Sequence, residues 1–313
     1  MKNSKLIVFT LSLMVFFSWV QELPAIEKAD PYLTKEFKLS GKGNLDVETS
    51  GASVAVMGVS GNQVVVEMYV KINGQSVDST DPEVERLLED YNLDISKSGN
   101  TISLKVKRKS NDGWKKNQLN LSFKVQVPTE ISSDFQSSGG SIAIDNLNGD
   151  QFIATSGGSI RVENATGTVV SKSSGGSFSL TDFDGNVDVQ TSGGSVKING
   201  LEGKLKINTS GGSVTLEDIS GSIDANTSGG SIRAKLLGID EDLSFRSSGG
   251  SITAMVPGSI GLDLDLRGGR VNSKFRNFDG EVKKDLIVGK MNGGGYLLSM
   301  QSSGGSINLE FMD

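Results

Sequence analysis

From Ile131 onward, apolar and polar residues alternate in short bursts, and each burst ends in the same small-residue phrase. In "GNVDVQTSGGSVKING", Gly185 to Gly200, Val187, Val189 and Thr191 alternate with Asn186, Asp188 and Gln190. After the paired glycines, Val196 and Ile198 alternate with Lys197 and Asn199. Strict alternation of this kind predicts half-buried β-strands. The phrase Ser-Gly-Gly falls at Ser138, Ser156, Ser174, Ser192, Ser210 and Ser228, always 18 residues apart, then at Ser248 after 20 and again at Ser303. A second glycine keeps the same beat at Gly149, Gly167, Gly185, Gly203 and Gly221. A fixed short period predicts a solenoid.

Two short strands per period cannot bury their apolar faces alone. Stacked parallel on the next copy, about 4.8 Å away, they can, and each backbone group finds a partner above or below. The pattern therefore predicts an all-β, single-stranded parallel β-helix with 18-residue coils. Glycine at the coil corner permits positive φ or close backbone approach. The flanking hydroxyls are expected to stack: Thr155, Ser173, Thr191, Thr209 and Thr227 in one file, Ser159, Ser177, Ser195, Ser213 and Ser231 in another. The stacked hydroxyls of both files are expected to satisfy one another at the corner, a structural role.

An earlier copy, "GNLDVETSGASVAVMGVSG", runs from Gly43 to Gly61 with the 7- and 11-residue spacings of Gly185, Ser192 and Gly203. The register thus begins near Phe37, is interrupted, and resumes near Ile131. Within the interruption Asp81-Pro82 predicts a helix start. Val84, Leu87, Leu88 and Tyr91 form its apolar stripe. Strands are expected around 93–96, 101–109 and 119–127, with "KSGN" as a tight turn. The whole 62–130 region reads as a cap over the exposed solenoid end. Past Ser248 the beat loosens: Arg267-Gly268-Gly269-Arg270 follows at 19 residues and Ser303 lies 36 beyond, which predicts wider coils or inserted loops. The expected organisation is a leader over 1–25, an N-terminal solenoid part with the helix and hairpin insertion over 26–130, and regular repeats over 131–313. Residues 26–313 are expected to form one continuous domain.

The leader expectation rests on Lys2 and Lys5 followed by Leu6–Val20, an uncharged apolar run of 15. That is the proportion of a signal peptide and too short for a bilayer core. Export is predicted, to the periplasm, the cell surface or the medium. The chain has no cysteine and no histidine. Disulfides, thiolate metal sites, Ser-His-Asp chemistry and histidine-based zinc sites are thereby excluded. A net charge of −6 gives no sign of a nucleic-acid binder, and no cofactor is expected.

Candidate chemistry is sparse. Asp240-Glu241-Asp242 sits where two extra residues enter the period and reads as an acidic loop before it reads as a cation site. Asp263, Asp265 and Arg267 share one strand face and resemble the carboxylate-plus-base inventory of β-helix polysaccharide lyases. The sharpest segment is "KVKRKSNDGWKKN". Lys105, Lys107, Arg108, Lys109, Lys115 and Lys116 place six cations within 12 residues, around Trp114. Such a segment serves first as a charged hairpin that discourages edge pairing. It also suits an anionic envelope polysaccharide or lipid headgroups, the indole adding sugar stacking or cation–π contact.

The tandem T-S-G-G-S-[IV] coils behind a leader, with the opening segment "FKLSGKGNLDVETSGASVAV", resemble the putative-adhesin β-strand-repeat family of bacterial envelopes, to which toastrack domains are related. The resemblance covers about 35–313. It implies a right-handed β-helix and brings no catalytic residues with it. The function expected is a non-enzymatic, exported, adhesin-like or envelope-interaction surface. The alternatives are a sensory or scaffold module that binds another envelope protein, and a lyase-like enzyme.

Overall fold

The computed structural model describes residues 30–77, 81–109 and 119–312. The leader over 1–25, and Trp114, Lys115 and Lys116 of the basic segment, lie outside the described residues. Each 18-residue copy forms one coil, stacked in parallel and in register on the next. Thr191 faces Ser173 on one side and Thr209 on the other, and Thr209 faces Thr227. Equivalent positions therefore stand in vertical files. Ile142, Ile160, Phe178, Val196, Val214, Ile232 and Ile252 form one buried file; Val187, Leu205, Ile223 and Leu243 belong to another. Alternation supplies this core directly, since every second side chain of each strand turns inward.

Each coil bends at three places, and each bend has its own backbone solution. At Ser-Gly-Gly the second glycine lies against the coil before it: a Cβ on Gly194 would stand 2.0 Å from the Gly176 carbonyl oxygen. The first glycine is not so confined, and a Cβ on Gly193 would meet nothing nearer than 3.7 Å. Close approach, not positive φ, fixes this corner. The second bend holds Asn146, Asn164, Asp182, Gly200 and Asp218 at φ between 50° and 70°. These residue types tolerate the left-handed region at least cost. The third bend is the other glycine file, Gly149 to Gly221, at φ from 110° to 149°.

Chain order and spatial order part company at both ends. Gly43–Thr49 and Ser53–Val59 stack directly on Ile131–Ser137 and Ile142–Asp145, as the shared spacing predicts. On their other side lie Thr101–Arg108 and Leu119–Pro128, also in parallel. Tyr91–Ser98, Gln63–Ile72 and Leu33–Lys38 then close this end with antiparallel pairings. The helix Pro82–Leu88 begins where expected: the Asp81 carboxylate accepts from the Glu83 amide, and Val84 and Leu87 are buried.

At the far end the loosened beat comes from one wider coil, an inserted hairpin and a change in the order of layers. The extra pair of residues before Ser248 does widen one coil, over 239–242, between the Ser220–Gly238 and Ile223–Leu243 pairings. The next layer, however, is the chain's last segment. Tyr296–Ser302 pairs with Leu243–Ser247 on one side and Leu262–Arg267 on the other. Ser306–Met312 likewise lies between Ile252–Pro257 and Arg270–Ser273. Ser303 thus stacks on Ser248, and Arg267 forms the layer beyond it. The 36 residues between Arg267 and Ser303 do not make two coils, because Phe278–Val282 and Leu286–Met291 form a hairpin paired antiparallel to Leu262–Arg267.

Candidate functional site

The Ser-Gly-Gly corner lines an open groove along the solenoid. Two cavities, of about 1030 and 820 Å³, follow the corner and share Asn208. Its floor is the hydroxyl file. Thr191, Thr209 and Thr227 each accept from the N–H of the glycine three residues on, at 3.4, 3.2 and 3.1 Å. Thr227, Ser247 and Ser302 also donate to the carbonyls of Gly212, Gly230 and Gly250 in the coil below, at 3.0, 2.9 and 2.7 Å. The expected hydroxyl-to-hydroxyl file is thereby corrected. The hydroxyls satisfy corner amides and carbonyls, which are the costlier groups to leave unpaired. Thr49 donating to Ser137 at 3.1 Å is the contact of the expected kind.

The wall of the groove comes from the residue just before each floor hydroxyl and, in the far layer, just before Gly268. In register these are Glu48, Gln136, Ala154, Lys172, Gln190, Asn208, Asn226, Arg246, Gln301 and Arg267. Parallel stacking brings ten positions from distant parts of the chain onto one line. The far end is bounded by the turn at Lys283–Leu286, anchored where Gly268 N–H donates to the Asp285 carbonyl at 3.1 Å. At the near end Lys107 enters the lining and pairs with Glu48 at 2.6 Å.

Of the basic segment, then, Lys107 reaches the groove. Lys105 pairs with Asp46 at 3.6 Å, and Arg108 and Lys109 are exposed at the end of the same strand. Opposed carboxylates on the neighbouring strand draw down part of the charge that the sequence concentrates here.

The other candidates do not assemble. Glu241 pairs with Lys204 at 2.9 Å, while Asp242 accepts from the Leu297 amide at 2.9 Å, so the acidic trio is drawn apart. Among the described residues no cluster of acidic side chains converges to hold a metal ion. Asp263 and Asp265 do share one face, opposite buried Leu262, Leu264 and Leu266. Arg267, however, is clamped to Asp265 at 2.6 Å, and a guanidinium offers only donors, which unfits it to take a proton.

The groove wall is what the sequence reading missed. Its signal lay in one column of the repeat: the residue before each Thr-Ser or Ser-Ser is an amide or a cation at every copy from Gln136 to Gln301 except Ala154. The Toastrack DUF4097 family model matches residues 43–310. The chain belongs to that family. No curated protein sequence matches it. Among solved structures, this Toastrack chain is similar to a "putative adhesin" of Bacteroides fragilis, 13% identical, with 90% of this chain and 96% of that one covered and a TM-score of 0.40. It is also similar to one from Parabacteroides distasonis, 12% identical, with 88% and 96% covered and a TM-score of 0.37. The Toastrack match takes in the inserted 62–130 region as well as the regular coils, and so the whole groove.

Proposed function

We propose that this chain is an exported, non-enzymatic, adhesin-like protein of the cell envelope, and that its working surface is the groove along the Thr-Ser-Gly-Gly corner. The observation that carries this is the line of outward amides and cations over a floor whose hydroxyls are already spent on the backbone. A floor so bonded is rigid, and the wall side chains are left to meet a ligand without any reordering of the corner. A long, shallow, polar groove fits an extended polymer better than a compact substrate. Lys105, Arg108 and Lys109 would extend that surface beyond Lys107.

The test is retention of the chain on glycan prepared from bacterial envelopes, compared with an Asn208→Trp/Asn226→Trp variant whose indoles fill the middle of the groove. Retention by the parent and loss by a variant that melts normally supports the reading. Equal retention of both removes the groove from it. Capture of an envelope protein with no glycan supports the sensory or scaffold alternative instead.

A further inference from the structure

The groove lining carries more cations than anions. It holds Lys107, Lys172, Arg246, Arg267 and Lys283 against Glu48 and Asp285, five cations to two anions, in a chain of net charge −6. Four of the cations have carboxylate partners: Lys107 with Glu48, Arg246 with Asp224 at 3.7 Å, Arg267 with Asp265 and Lys283 with Glu281 at 2.5 Å. All four cations are about half exposed, and such pairs are nearly free to exchange for a ligand's acid group. Lys172 stands over the ring of Phe152, 5.8 Å from its centroid.

Spacing adds a second constraint. The ten wall positions from Glu48 to Arg267 are separated by nine strand steps, so the line is about 43 Å long. Every step presents an amide, a cation or a floor-edge serine in the same orientation. A chain molecule with a repeat close to the strand spacing meets an equivalent partner at each unit, and weak contacts then add along its length. Ring hydroxyls match Gln136, Gln190, Asn208 and Asn226; carboxylates match Lys172 and Arg246. The described lining holds no aromatic side chain. Single-stranded nucleic acid, which depends on stacking platforms, is thus poorly served. A bilayer surface cannot follow a concave groove.

We propose that the groove holds a single extended strand of acidic polysaccharide, a polyuronate-like chain lying parallel to the solenoid axis. This rests on the reading of the groove as the working surface and names its ligand class. The experiment measures binding of the whole chain to polygalacturonate, to a neutral β-glucan of like length and to double-stranded DNA. It is repeated with Lys172→Glu/Arg246→Glu in the groove and with Lys197→Glu/Arg233→Glu, exposed cations outside it. Polygalacturonate is expected to bind, to weaken with salt, and to lose about tenfold or more in affinity in the groove variant alone, where tenfold is ~1.4 kcal/mol.

Equal losses in the two variants overturn the inference, since charge alone and not the groove would then be at work. A neutral glucan bound as tightly, and blocked by the Asn208→Trp/Asn226→Trp variant, overturns the acidic ligand but leaves the groove. DNA bound as tightly as polygalacturonate overturns the assignment to carbohydrate. If neither glycan binds, the inference falls, and retention on envelope glycan decides the reading beneath it.

Discussion

Thr227 ties two coils together through a single oxygen: it donates to the Gly212 carbonyl at 3.0 Å and accepts from the Gly230 amide at 3.1 Å. The side chain thus bridges its own corner and the one below. Ser247 and Ser302 repeat the contact in the next layers, taking their own corner amides at 2.9 and 2.8 Å. The repeated shape of the corner depends on that oxygen, since Thr227 is 5% exposed and water has little access to replace it.

Replacing Thr227 with valine keeps the volume and removes the oxygen. A buried amide and a carbonyl lose their partner, and the expected cost is about 1–3 kcal/mol. Thr227→Ser restores the oxygen and should recover most of the loss. Urea unfolding of the three proteins checks this, with an unchanged slope showing that the folded state is the same. Equal stability of the valine and serine variants would contradict the bridge.

The two glycines of one corner should respond in opposite ways. Gly194→Ala forces a methyl against the Gly176 carbonyl, 2.0 Å away, so the coils must separate there. A loss of several kcal/mol, about 3, is expected. Gly193→Ala makes only ordinary contact, 3.7 Å from the Ser174 carbonyl oxygen, and restricting the unfolded chain should leave it neutral or up to about 1 kcal/mol more stable. Thermal melts of the pair decide the matter.

The last segment of the chain should exchange hydrogen slowly. Leu298, Met300 and Ile307 are fully buried, and their strands are paired on both sides. Chain termini ordinarily fray. Here the amides of Tyr296–Ser302 are expected to be as protected as those around Ile207, and more protected than those of Phe278–Val282 at the edge. Amide exchange read by mass spectrometry tests the order directly.

Tyr69 should titrate late. Burial first, then the hydrogen bond it donates to Glu67 at 2.9 Å, push its phenol up to about 12 from 10.0. The folded state therefore favours the protonated phenol. That contribution to stability is complete below pH 10 and is lost as pH rises from there through about 12. Ultraviolet titration should resolve a late component for Tyr69, and Glu67→Gln should move it down.

The regular coils were legible from sequence because alternation and an 18-residue beat act on the same residues: Val187, Val189 and Thr191 turn inward wherever the glycines fix the corner. The second bend was less visible. Asn146, Asn164, Asp182 and Asp218 occupy it, with Gly200 in the same slot, so the shared property is a tolerated backbone angle and not a residue type. The order of layers at the far end was hidden for another reason. Spacing along the chain measures repeats but not which repeat lies beside which, and nothing local to Tyr296 states that it belongs between Leu243 and Leu262. The groove wall was hidden by the reverse fault. Gln190, Asn208 and Asn226 are unremarkable one at a time and become a surface when read down the stack.

The inserted last layer also decides how the molecule bears tension. A solenoid whose final coil lay outermost could be unravelled from that end, one ladder peeling after another under a small steady pull. Here a pull on Met312 acts on a strand gripped by Ile252–Pro257 and Arg270–Ser273 together. Both sets of backbone bonds must slide at once before any coil is released, so this layer resists by shear.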